Sequence, residues 1–179
     1  MRRKGLAVND DIKRLPGGDP SGGADAAREF QHALADPELA QNLRLRLEIS
    51  GGVPSERYDL SFEISGDDTA RIRMVDEIKG RHHEAREVKL PPDTIRHLLN
   101  QVDVNRMVSF AQTHVPIPPC SLVGRLEVSF GDRTFSIVFM ADEEQARTAG
   151  YRIPQEFERV IHEIYDLGAK HMGIDRIRP

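Results

Sequence analysis

Tryptophan is absent from the 179 residues, cysteine occurs once, and aromatic residues make up only 6% of the chain. A single cysteine forms no internal disulfide and excludes a four-cysteine metal site, so zinc ribbons and fingers are ruled out and a reducing, cytoplasmic compartment is expected. Long apolar runs are missing as well, and nothing approaches the ~20 residues that a membrane span needs. In the opening "MRRKGLAVNDD" only Leu6, Ala7 and Val8 follow the positive charges before Asn9, Asp10 and Asp11, which is too short for a signal-peptide h-region. Charge of one sign is lacking too: 25 Lys+Arg stand against 29 Asp+Glu, a net of -4, so no global basic field calls for nucleic acid or an anionic membrane.

What the chain does have is a change of pattern near residue 43. Before it, "LPGGDPSGGADAA" at 15–27 is rich in Gly, Pro, Asp and Ser and reads as a flexible arm over residues 1–42. The arm carries one short helix with Phe30 and Leu34, then a break at Asp36-Pro37, where Asp36 caps and Pro37 takes the first helical position.

From Leu43 the period is two. Leu43, Leu45, Leu47 and Ile49 point one way and Arg44, Arg46 and Glu48 the other, which predicts a half-buried strand. "YDLSFEIS" repeats the pattern with Tyr58, Leu60, Phe62 and Ile64 inward, and "TARIRMV" does so with Ala70, Ile72 and Met74. Folding about Asp67 sets Glu63 opposite Arg71, an opposite-charge pair. A weaker fourth strand is expected through "AREVKL". "PPDTIRHLLNQV" then switches to helical spacing, with Ile95, Leu98, Leu99 and Val102 on one stripe. In "LVGRLEVSFGDRTFSIVFM" a turn at Gly131-Asp132 pairs Val128 with Phe135 and Leu126 with Ile137 on one face, and Glu127 with Ser136 on the other. A helical turn capped by Asp142 and ended by Gly150 follows. The closing helix from Pro154 carries Phe157, Val160, Ile161, Ile164 and Tyr165 on its apolar stripe.

Strands with one wet face and two amphipathic helices imply an α+β fold, a two-layer sandwich in which the helices cover one face of a mainly antiparallel sheet. The expected domain runs from 43 to 173, with a tail at 174–179. A strand pair like "YDLSFEISGDD" followed by a proline-led helix like "LPPDTIRHLL", a hairpin and a closing helix resembles a group of small bacterial domains of unknown function. The resemblance covers roughly residues 45–170 and implies the fold alone. Many members of that group carry cysteines just before the second strand, where this chain has "GGVPSERY", so a cysteine-based site does not carry over.

Four constellations invite a chemical reading. His162-Glu163-x-x-Asp166 resembles the helical HExxH of zinc proteases, with His171 as a third ligand, although His162 falls roughly 140° around the helix from Phe157 on what is ordinarily a solvated face. In "GRHHEARE" the adjacent His82 and His83 flank Glu84 and Glu87, but neighbouring side chains on an extended chain point to opposite faces, and a mobile polar connection is the simpler reading. Arg44, Arg46, Arg71, Arg73 and Arg125 would form a phosphate-reading sheet face, were it not shared with Glu48, Asp59, Glu63 and Glu127 and without aromatics on which bases could stack. Finally, "THVPIPPC" at 113–120 places His114 and Cys120 as a possible nucleophile and base, but Pro116, Pro118 and Pro119 extend the link between them to as much as ~3 Å per residue. Cys120 is then a small buried hydrophobe. The segment is a stiff strap whose preset conformation suits docking, and the simpler alternative is a crossover loop that merely bridges the first helix to the second hairpin.

No set of titratable groups converges, so no catalytic residue, metal or cofactor is expected. The sequence points to a non-enzymatic interaction module, an accessory or assembly subunit, whose partner is another protein or a second copy. Phe30 and Leu34 of the arm and His114, Val115, Pro116, Ile117, Pro118 and Pro119 of the strap are its expected contacts. The alternative is a small metal- or cysteine-dependent hydrolase built on His162, Glu163 and Asp166 or on His114 and Cys120.

Overall fold

The computed structural model describes residues 20–52, 56–111, 117–118, 121–175 and 177. The period-two segments become six strands, β1 (Leu43–Gly51), β2 (Tyr58–Ser65), β3 (Thr69–Asp76), β4 (Arg81–Lys89), β5 (Val123–Phe130) and β6 (Arg133–Met140). They form one antiparallel sheet in the order β4-β3-β2-β1-β5-β6. The registers are those that the sequence predicts: Glu63 faces Arg71, and across the last hairpin Val128 faces Phe135, Leu126 faces Ile137 and Glu127 faces Ser136. The two-residue turn that closes this hairpin needs a positive φ, which Gly131 supplies at 57°.

Because the side chains alternate, Leu45, Leu47, Phe62, Ile64, Ile72 and Ile137 all lie on one face, and each is fully buried. The helices cover that face. They are α1 (Pro20–Ala35), α2 (Pro37–Ala40), α3 (Thr94–Leu99), α4 (Val104–Ala111), α5 (Glu143–Thr148) and α6 (Gln155–Met172). The stripe of α6 is buried as its spacing requires, and Gly173 ends the helix in the left-handed conformation at φ 69°. The fold is thus the expected two-layer α+β sandwich, with more helix over the sheet than two amphipathic stripes suggested.

Four details differ from the sequence reading. First, the described part of the expected arm belongs to the domain. Phe30 is 1% exposed and Leu34 is 3% exposed, the Phe30 ring lies 5.6 Å from that of Phe130, and Arg96 Nε of α3 donates to the Leu34 carbonyl at 3.0 Å. These two residues are buried in the chain's own core, because the sheet offers α1 an apolar surface that a sequence window cannot see. Asp36 does cap α2, accepting from the Glu38 and Leu39 amides.

Second, "GRHHEARE" is strand from Arg81 onward, paired to β3 through a bulge between the Ile72 and Met74 pairs. It lacks apolar alternation because it is an edge strand with most of its side chains in water. Third, α4 was not expected, although Asp103 caps it by accepting from the Asn105 and Arg106 amides and Val104 and Met107 are buried at i, i+3 spacing. Fourth, the tail returns to the core: Ile177 is buried, and its carbonyl accepts from the Tyr58 hydroxyl.

One acidic side chain ties the two layers together. Asp68, at φ 60° and 8% exposed, receives on its two oxygens the amides of Asp93, the N-cap residue of α3, and of Ile95 in its first turn, both at 2.8 Å. Asp68 is thus both a turn residue between β2 and β3 and a remote cap for the start of α3.

Candidate functional site

With the described helices on one side, the other side of the sheet faces outward. Its side chains follow from the pairing. One row runs Glu87–Arg71–Glu63–Arg46–Glu127 across β4, β3, β2, β1 and β5, alternating in sign at every step. The next row runs Arg73–Ser61–Glu48–Arg125 and reaches Val138 on β6. Within this mosaic Arg46 Nη2 lies 2.6 Å from Glu48 Oε1, Arg44 Nη1 lies 3.4 Å from Glu63 Oε1, and Arg57 holds Asp59. Arg71, Arg73 and Arg125 are exposed and make no ion pair with a described residue. Exposed pairs of this kind contribute ~0–1 kcal/mol each to stability, so the fold does not depend on them.

A second feature lies on the helical side, where α3 and α6 leave a groove of about 520 Å³ lined by Asp93, His97, Glu163, Asp166 and Lys170. Gln101 Nε2 donates to both oxygens of Glu163 at 3.1 and 3.0 Å, and His97 Nε2 stands 3.4 Å from Glu163 Oε2. Sequence reasoning missed His97, on α3, and Gln101, two residues past its end; their four-residue separation was the available signal.

The structure separates the residues of the helical metal motif. His162 turns toward α5, with Nε2 at 3.4 Å from Glu143 Oε1 and its ring beside Tyr165, whereas Glu163 turns toward α3. Asp166 lines the groove with Glu163. His171 is nine positions beyond His162, ~13 Å along the helix axis, and cannot share an ion with it. His82 pairs with Val75 and His83 with Met74, on opposite faces of β4, and His82 Nε2 lies 3.4 Å from Glu77 Oε2. No group of three or more His, Cys, Asp or Glu among the described residues is placed to hold a metal ion.

Of the expected partner contacts, Phe30 and Leu34 are core, as described above. Ile117 is half-buried and Pro118 exposed. The Pro118 carbonyl accepts the Ser121 amide at 3.2 Å, and the Ser121 carbonyl lies so close to Gly51 that a Cβ there would sit 2.5 Å from it. Ser121, the residue that follows the strap, therefore packs against the end of β1. His114, Val115, Pro116, Pro119 and Cys120 lie outside the described residues. Among the described residues no helix is long and apolar enough to cross a membrane. No protein-family model matches the chain, and no curated protein matches it significantly.

Proposed function

We propose that the chain is a cytoplasmic, non-enzymatic protein-interaction module, an accessory or assembly subunit, and that it meets its partner protein with the open face of the sheet. The observation that supports this is the one-sided layering: the helices cover one face, and the other carries a fixed mosaic of charges on β1, β2, β3 and β5. A broad, gently twisted surface of rigidly spaced arginines and carboxylates suits a macromolecule with complementary charges, which gains specificity and association rate from such a pattern. A small substrate is better served by a concave site with convergent groups. Stiff strands also hold these side chains in place before binding, which lowers the ordering cost. The non-enzymatic part of the reading is supported by the divergence of His162 and Glu163 toward different helices.

The test is capture from native lysate with the full chain and with an Arg46→Glu/Arg71→Glu/Arg73→Glu variant. A protein retained in stoichiometric amount by the wild type and lost from the variant, with the melting temperature unchanged, is the expected result. Equal capture by both chains, or none by either, refutes the open-face reading.

A further inference from the structure

The two edges of the sheet are built differently. On β4 every residue except Ala85 and Val88 is charged or histidine, and a bulge interrupts its pairing; both features blunt an edge against further strands. On β6 the only charged residue is Arg133, whose guanidinium is held by Glu29 of α1 at 3.0 Å, and the pairing with β5 runs through all eight residues without a bulge.

The direction of the β6 backbone groups follows from one bond. The Ala141 amide donates to the Leu122 carbonyl at 2.9 Å, so the odd-numbered residues of the strand bond to β5 and the even-numbered ones turn their N–H and C=O away from the sheet. Tyr151 Oη agrees with this, because it reaches the Val138 carbonyl from outside at 3.4 Å. Tyr151 thereby closes the far end of the edge. Thr134 is exposed and Ser136 half-buried, and the outward amide and carbonyl of each bond to no described residue. Behind them, Phe135 is only partly buried and continues an aromatic row: Phe30 lies 5.6 Å from Phe130, and Phe130 stacks on Phe135 at 6.1 Å.

We propose that β6 is a homodimerisation edge, pairing antiparallel with β6 of a second copy across a twofold axis at Phe135. In this register Thr134 and Ser136 of one chain exchange both backbone bonds with Ser136 and Thr134 of the other, and the two Phe135 residues meet as a non-hydrogen-bonded pair with Cα atoms ~4.5 Å apart. The occupant is a second copy because the open stretch complements itself. Hydroxyl faces hydroxyl on the outer side, aromatic faces aromatic on the inner side, Arg133 comes opposite Ile137, and like charges are never opposed. The Tyr151 bond to Val138 stays intact. The sheet becomes twelve strands, twice the six of one chain, and the aromatic row becomes continuous through the axis. This pairing uses a different surface from the open face and does not depend on that proposal.

Sedimentation equilibrium of the full chain across the micromolar range tests it, together with hydrogen exchange. The expected result is a doubling of mass with concentration, with exchange at Thr134 and Ser136 slowing in step. Ser136→Pro removes an outward amide while sparing the bonds to β5, and Thr134→Lys places like charges around the axis; both are expected to stay monomeric with the fold retained by circular dichroism. A wild type that is monomeric throughout, a dimer that leaves both amides unprotected, or a dimer that survives both substitutions overturns the proposal. A dimer lost only on charge reversal of the open face overturns it as well.

Discussion

Replacing Phe30 by alanine separates two roles for the N-terminal helix, as a partner-binding arm or as part of the fold. In the structure the side chain is 1% exposed and packs against Phe130. A phenylalanine buries ~150–250 Å², which at about 25 cal/mol per Å² amounts to roughly 4–6 kcal/mol for complete removal from water. The alanine keeps part of this, so the expected loss is about 3–5 kcal/mol, the range found for buried aromatics cut to alanine. For a chain of this length each kcal/mol lowers the melting temperature by ~2–4 °C, so the variant should melt roughly 6–20 °C below the wild type. The assay is denaturant and thermal unfolding by circular dichroism, with Gln31→Ala, one position away and exposed, as a control expected within about 0.5 kcal/mol. A Phe30→Ala chain within about 1 kcal/mol of the wild type would show that α1 contributes little to the core and would return Phe30 to the partner-binding role.

Three further perturbations test the internal construction. Asp68→Ala deprives the Asp93 and Ile95 amides of their charged acceptor and is expected to cost about 2–4 kcal/mol in urea unfolding, with Asp68→Asn intermediate because asparagine tolerates a positive φ and keeps one acceptor; equal stability of all three chains refutes the cap. Gly66→Ala would set a Cβ 2.0 Å from the Ala40 carbonyl oxygen and 2.6 Å from Gln41 backbone atoms, so a loss of about 3 kcal/mol is expected from unfolding curves, because backbone cannot move aside as a side chain can. Burial pushes the Tyr151 hydroxyl up to about 12, and burial followed by the nearby Asp76 carboxylate raises Tyr58 further. The folded chain therefore keeps protons that the unfolded chain releases above pH ~10. That contribution is complete below pH ~10 and is lost as pH rises toward the folded values, so melting temperature should fall across this window, and the fall should shrink in Tyr58→Phe/Tyr151→Phe. An undiminished fall in the double variant assigns alkaline unfolding to other groups.

Most of the sheet was legible because the strands report themselves. Leu43 to Ile49 and Leu126 to Phe139 alternate cleanly, and the charge pairs and the Gly131-Asp132 turn then fix their registers. Legibility fails where the deciding partner is distant in sequence. Nothing near Phe30 shows that Phe130 will cover it, and nothing near Asp68 points to the two amides that it caps 25 and 27 residues later. The His162–Glu163–Asp166 motif misleads for the same reason: spacing on one helix predicts which side chains can converge, while the neighbouring helices α3 and α5 decide where they turn.

The surfaces proposed for binding are hidden from sequence by a different cause. Alternation reports only that two faces of a strand differ in polarity, and the charges on β1 read alike whether they meet water or a protein of complementary charge. Edge or centre is likewise a property of pairing order. By composition β1, with three charges in its outward row, reads as the more exposed strand and β6 as the more interior one, yet the sheet places β1 inside and β6 at the rim. A strand with the composition of a central strand at an edge position is the kind of conflict between local sequence and global fold that a monomer has reason to remove, and β4 shows that this chain does remove it at its other edge. Pairing of β6 with its own copy resolves the conflict, since the strand then occupies in the dimer the interior position that its composition fits.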